Sequence, residues 1–194
     1  MLFEIYSDGS TRGNGKENAV GAWAYVILRE GKKFCYECKA VKETTNQRME
    51  LTAAAEALEY LFYNEICVPF DRVIIYTDSA YLHNCYTQKW YVNWQNNGWR
   101  NSKKEPVANQ DLWERLIKYF EMPEVEFKKV KGHAGNRNDH ERWNDFVDVL
   151  AQGASLDLKR EFAYENSNNY RNWWCGKRHI RGNVQGHTWL EICV

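Results

Sequence analysis

Asp71-Arg72-Val73-Ile74-Ile75-Tyr76-Thr77-Asp78 is a short apolar run, rich in β-branched residues, that ends in an acid. A strand covered on both faces reads as such a continuous hydrophobic run, the form strands take in a parallel sheet packed between helices. It delivers Asp78 at its carboxyl end, where open α/β sheets hold their ligands. The first strand, Leu2 to Ser7, does the same for Asp8. A Gly- and Asn-rich stretch, Gly9 to Asn18, reads as a turn, and Ala22 to Arg29 and Lys33 to Ala40 as strands with Gly31 marking the hairpin between them. Leu51, Ala54, Ala55, Leu58, Leu61 and Phe62 recur at three- and four-residue spacing, so Met49 to Asn64 is predicted helical, with Glu50 in its first turn. Asn109-Gln110-Asp111 caps a helix containing Leu112, Leu116 and Ile117. Glu124 to Lys131 reads as the last strand, and Asp145 to Gln152 as a closing helix with Phe146, Val149 and Leu150 inward. The order predicts an α/β fold: a mixed sheet with helices packed on it.

The chain has 194 residues, enough for one well-buried domain plus an extension. Its 26 basic and 26 acidic side chains balance, which excludes a globally basic nucleic-acid glue. The basic residues are nevertheless grouped. Trp90 to Lys104 holds Arg100, Lys103 and Lys104 without an acid, and Asn166 to Leu190 holds Arg171, Lys177, Arg178 and Arg181 without one. Such patches meet phosphates while carboxylates elsewhere hold metal. Of six cysteines, Cys35 and Cys38 form a C-x-x-C, but three residues apart on a strand places the thiols on opposite faces, wrong for chelation. Reduced thiols in a cytoplasmic chain are expected, with no signal peptide ahead of the Asp8 strand. No apolar run reaches the ~20 residues of a membrane span.

Asp8, Glu50, Asp78 and Asp148 are the candidate metal-binding acids. Four carboxylates gathered in one place raise one another's pKa and repel unless cations neutralise them, so a fold does not gather them for stability. Their flanking words are ordered along the chain: Asp8-Gly9-Ser10 with Gly13-Asn14, then Thr45-Asn46-Gln47-Arg48-Met49-Glu50-Leu51, then Thr77-Asp78-Ser79. A Trp-rich stretch from Trp90 to Trp99 follows, then Val130-Lys131-Gly132-His133-Ala134-Gly135, and finally Asn144 to Ala151 around Asp148. Over residues 1–154 these words resemble type 1 ribonuclease H of the prokaryotic type with a basic protrusion. Residues 155–194 form an extension that matches nothing nameable.

The resemblance implies a ribonuclease H-like, five-stranded mixed sheet and a two-metal endonuclease. The expected substrate is the RNA strand of an RNA–DNA hybrid, cut to 5′-phosphate and 3′-hydroxyl ends by a monomer. Asp8 would be shared by two Mg²⁺ ions, for which Mn²⁺ can substitute; Glu50 and Asp78 would complete one site and Asp148 the other. Asp148, rather than Asp145, Glu141 or Asp139, fits the pattern of an Asn four residues before and an Ala three after, met by Asn144 and Ala151. His133 would relay protons. Asn14, Asn46 and Gln47 match residues that contact RNA 2′-hydroxyls, Thr45 and Asn109 a pocket for a DNA phosphate, and Tyr81 and Trp90 an aromatic DNA channel. Lys103 and Lys104 would meet phosphates from the protrusion. Two departures stand out: Glu43 occupies the place of a usual Arg beside Thr45, and Gly135 to Trp143 is several residues longer than usual. A non-catalytic hybrid-binding module and a related nuclease such as a junction resolvase are the alternatives.

Overall fold

The computed structural model describes residues 1–13, 19–67, 71–131 and 138–166, and four two-residue strands beyond them. Five strands form one mixed sheet in the order β3-β2-β1-β4-β5. They are β1 (Leu2–Arg12), β2 (Val20–Arg29), β3 (Lys32–Lys42), β4 (Arg72–Thr77) and β5 (Val125–Lys129). β1, β2 and β3 pair antiparallel, whereas β1–β4 and β4–β5 pair parallel. Helices α1 (Asn46–Tyr63), α2 (Ala80–Thr87), α3 (Trp90–Asn96), α4 (Gln110–Phe120) and α5 (Asp139–Asn166) complete the fold.

Alternation along the central strands sorts the core into two layers. Phe3, Ile5, Val73 and Ile75 point to one face, where Leu51, Leu58, Leu61, Leu112, Trp113 and Leu116 of α1 and α4 cover them. Tyr6, Val26, Ile74 and Tyr76 point to the other, where Val147 and Ala151 of α5 pack. The C-x-x-C thiols part as their strand spacing requires, Cys35 toward the α1 layer and Cys38 into the α5 layer. Arg115 of α4 ties that helix to α1 through Glu56 at 2.7 Å and Glu59 at 2.6 Å.

Five sequence expectations are corrected. Gly9 does not open a turn: β1 runs on to Arg12, with Gly9 opposite Trp23 and Arg12 opposite Val20, because ladder pairing outweighs the turn preference of the Gly-Ser-Thr stretch. α1 begins at Asn46 with Thr45 as its cap, the Thr45 side chain accepting from the Arg48 amide, which moves Glu50 into the second turn. The closing helix starts at Asp139, its first turn fastened by Asn138 Oδ1 accepting from Glu141 N at 2.9 Å. Val149 is 68% exposed rather than inward, because the helix phase is set by buried Val147 and Ala151. The closing helix also runs on to Asn166 rather than stopping at Gln152.

The remaining described strands form two small antiparallel pairs, β6 (His179–Ile180) with β9 (Ile192–Cys193) and β7 (Asn183–Val184) with β8 (His187–Thr188). Expectations for Asn14 and for His133 lie outside the described residues. Among the described residues no helix is long and apolar enough to cross a membrane.

Candidate active site

The four acids arrive on four different elements. Asp8 lies on β1 opposite Ala24, Glu50 on α1, Asp78 one residue past the end of β4, and Asp148 on α5. Gly9 explains how α1 comes close enough: a Cβ there would stand 2.3 Å from Glu50 N and 2.5 Å from Met49 C. Only a residue without a side chain lets the second turn of α1 press on β1 beside Asp8. Gly21 on β2 has the same task one strand over, where a Cβ would meet Thr44 Cγ2 at 2.5 Å.

Asp8 is buried, with 8% of its surface exposed. Its pKa is pushed from an ordinary 3.8 up to about 8, first by burial and then by the charge of Asp78, with Asp148 and Glu50 adding to it. The Gly9 amide donates to Asp8 Oδ1 at 2.7 Å and works the other way, favouring the carboxylate. Glu50 is also raised, by burial and by Asp78, and is restrained by two donors. Asn46 Nδ2 donates to its Oε1 at 2.7 Å, and the Ser79 hydroxyl donates to its Oε2. Ser79 Oγ in turn accepts from the Leu82 amide at 3.3 Å, so the cap of α2 also orients Glu50. Gln152 Nε2 donates to Asp148 Oδ1 at 2.6 Å. Asp148 is among the charges that raise Asp8 most.

The donor set is all oxygen, which suits a hard divalent cation. Among the described residues no three acid, His or Cys side chains converge tightly enough to chelate one ion by themselves. The all-oxygen donor set nonetheless fits the group that the sequence implies, with Asp8 central because three other carboxylates act on it.

Comparison with known proteins decides the family. The RNase H family model matches residues 2–155. Ribonuclease H from Clostridium botulinum (strain Hall) is 43% identical over 151 residues, 77% of this chain and 93% of the relative. The chain belongs to the ribonuclease H family. Ribonuclease H from Moorella thermoacetica is 43% identical over 157 residues, 81% of this chain and 93% of its own length. Among solved structures, LC9-RNase H1, described as a type 1 RNase H with the type 2 active-site motif, aligns with a TM-score of 0.62 at 26% identity, covering 80% of this chain and 72% of that one. Ribonuclease H proteins are metal-dependent, in keeping with the carboxylate cluster.

Among the described residues, the positions expected from the resemblance to contact substrate fall in four places. Thr45 caps α1, Asn109 stands at the N-cap position of α4 without a side-chain cap bond, and Arg48 joins the two helix starts by donating to Asn109 Oδ1 at 3.3 Å and pairing with Asp111 at 2.5 Å. Sequence reading passes over Arg48 as a bridge, because its partner lies 63 residues away and nothing local announces it. Asn46 and Gln47 occupy the first turn of α1, Gln47 exposed and Asn46 turned to Glu50. Tyr81 and Trp90 stand 6.2 Å apart between ring centroids, and Trp90, Trp94 and Trp99 follow in a chain at 6.3 Å each. Trp94 leans on core Trp113 at 5.5 Å, so the Trp series is chiefly the root of the protrusion. Lys103 and Lys104 are exposed at its tip, while the Arg100 guanidinium is spent on the Lys104 carbonyl at 2.7 Å.

Proposed function

We propose that this chain is an endonuclease that hydrolyses the RNA strand of RNA–DNA hybrids with divalent cations, leaving 5′-phosphate and 3′-hydroxyl ends. The feature that carries the reading is the buried Asp8 carboxyl, pushed up first by burial and then by the charges of Asp78, Asp148 and Glu50. No structural task requires a carboxyl so placed, and family membership supplies the reaction. Asp8, Glu50, Asp78 and Asp148 hold two Mg²⁺ ions, with Mn²⁺ a substitute. When bound, the pair activates a water and neutralises the leaving 3′ oxygen.

The protein's own groups prepare that geometry. Ser79 and Asn46 fix both oxygens of Glu50, so its orientation does not depend on the substrate. His133 moves the proton at the leaving or attacking oxygen. Asn14, Asn46 and Gln47 read 2′-hydroxyls, for which amides suit because they donate and accept. Thr45 and Asn109 seat a DNA phosphate, Tyr81 and Trp90 pack on deoxyribose, and Lys103 and Lys104 meet the backbone. A single chain supplies the whole set, consistent with a monomer, and residues 155–194 act as an accessory segment to a catalytic unit of residues 1–154.

The test is a labelled RNA–DNA hybrid incubated with the protein, with Mg²⁺, with Mn²⁺, or with chelator. Cleavage confined to the RNA strand and dependent on the ion is expected. Binding without cleavage in either ion would make the chain a hybrid-binding module, and a preference for branched DNA would make it a junction nuclease.

A further inference from the structure

The segment that departs from the family pattern, Gly135 to Trp143, ends in the first turn of α5, and that turn is fastened to the sheet. Tyr6 of β1 and Tyr76 of β4 are direct partners in the parallel ladder, and their rings stack at 4.8 Å with 10° between planes. His140 stacks on Tyr76 at 4.4 Å, and its Nδ1 lies 2.6 Å from the Tyr6 hydroxyl. Trp143 closes the group at 6.5 Å from Tyr6. One aromatic cluster thus joins β1, β4 and α5.

Those three elements carry three of the four acids, each at a fixed distance from the cluster. Asp8 follows Tyr6 by two residues and Asp78 follows Tyr76 by two, so each acid lies about 7 Å further along its strand direction. Asp148 follows His140 by eight residues, about 12 Å along the helix. At 100° per residue, His140, Val147 and Ala151 share the sheet-facing stripe of α5. Val147 and Ala151 are fully buried but small, and Phe146 anchors α5 to Tyr36 of β3, a strand that carries none of the acids. His140, although exposed at its outer edge, is the side chain of α5 that both stacks on β4 and hydrogen-bonds to β1.

We propose that His140, through Tyr6 and Tyr76, is a positioning residue that sets the placement of Asp148 relative to Asp8 and Asp78. The first turn of α5 thereby gives this chain a clamp on its own metal site. The inference rests on the four-carboxylate reading above. His140 touches neither substrate nor ion and acts only through the helix that carries Asp148.

The experiment measures Mg²⁺ binding by calorimetry without hybrid, and kcat and KM on hybrid, for the full chain. His140→Ala should weaken Mg²⁺ binding by roughly ten-fold and lower kcat, in the range typical of groups that orient metal ligands, with KM for hybrid changed less than about two-fold. Tyr6→Phe keeps the stack and removes only the hydroxyl, so it should show a smaller loss of the same kind. His140→Phe and Tyr6→Phe combined should be no worse than the worse single variant, because each removes the same hydrogen bond. Phe120→Leu, which loosens α4 on the opposite face of the sheet where it meets Tyr86, Tyr91, Trp113 and Phe127, serves as the control at matched loss of thermal stability. Unchanged Mg²⁺ affinity and kcat in folded His140→Ala overturns the proposal, as does an equal loss in Phe120→Leu. If His140→Ala does not fold, Tyr6→Phe decides: wild-type Mg²⁺ binding and kcat overturn the proposal. Asp8→Asn separates the two levels. If it binds Mg²⁺ like wild type, the metal reading itself fails; if it does not bind while the His140 and Tyr6 variants are normal, only the clamp fails.

Discussion

Asp8→Asn should make the ion-free protein more stable at neutral and alkaline pH, and the size of the gain follows from the site. The carboxyl is pushed from 3.8 to about 8 in the folded chain. In the unfolded chain it ionises near 3.8. The folded state therefore holds the proton that the unfolded state releases, and stability falls as pH rises from about 4 to about 8. At about 1.36 kcal/mol per unit, the three units between 3.8 and pH 7 cost at most about 4 kcal/mol, and about half that if water and side-chain relaxation raise the effective dielectric. Asn removes the charge and keeps the oxygen that accepts from Gly9 N–H, so little else changes.

The assay is denaturant unfolding in chelator at several pH values from about 5 to about 8.5, wild type against Asp8→Asn. The wild type should lose stability across that range relative to the variant, and the gap should open by about 2 kcal/mol or more by pH 8. Adding Mg²⁺ should close it from the wild-type side, because cations bind the deprotonated carboxylates and stabilise the folded state by mass action. A variant that is less stable than wild type at pH 8 in chelator would refute the account of a buried carboxylate under pressure from its neighbours. So would a gap that is constant with pH.

Three further outcomes are expected. Asp148→Asn should lower hybrid cleavage at least about a hundred-fold, the scale of a missing metal ligand or its orientation, while Asp145→Asn stays within about ten-fold; the reverse ranking by kcat would show that the fourth acid is Asp145. His133→Ala should slow turnover by about ten- to a hundred-fold yet keep near-normal Mg²⁺ affinity in calorimetry, as a proton relay does and a metal ligand does not. Removing residues 167–194, which leaves α5 whole and Ser155 buried, should weaken hybrid binding and flatten its salt dependence by about 0.9 logarithmic unit for each phosphate the shortened chain no longer meets, with cleavage at saturation unchanged; equal affinity and slope in the truncated chain would make the tail mere packing.

The parts of the molecule that can be read from sequence are those whose cause is local. The run Val73 to Thr77 announces a strand buried on both faces because both of its faces are apolar, and the structure covers them with α1 on one side and α5 on the other. The apolar spacing of Leu51 to Leu61 likewise announces a helix. Misread boundaries all lie where a tertiary partner overrides a local preference. Gly9 looks like a turn residue, but the turn preference is outvoted by pairing with β2, and the glycine is there for the close approach of α1. The first turn of α5 looks like loop because Asn138 to Arg142 is polar, and its stability comes from His140 and Trp143 meeting Tyr6 and Tyr76 on the sheet.

The same division runs through the candidate site. Each acid is announced by its flanking residues, and the helix-start Thr45 and Ser79 have the chemistry of caps. What sequence does not announce is that Ser79 serves two elements at once, capping α2 and donating to Glu50. Nor does it announce that Arg48 spans from α1 to Asn109 and Asp111. Both are second partners, made across 29 and 63 residues respectively, and a one-dimensional pattern records only the first. The consequence for the chemistry is specific. Glu50 is oriented from α1 and α2, Asp8 is set by the approach of α1 to β1, and Asp148 is placed by how α5 lies on the sheet. The cluster is thus held by contacts between elements, so a substitution that shifts one element by about an ångström should change activity before it changes whether the chain folds.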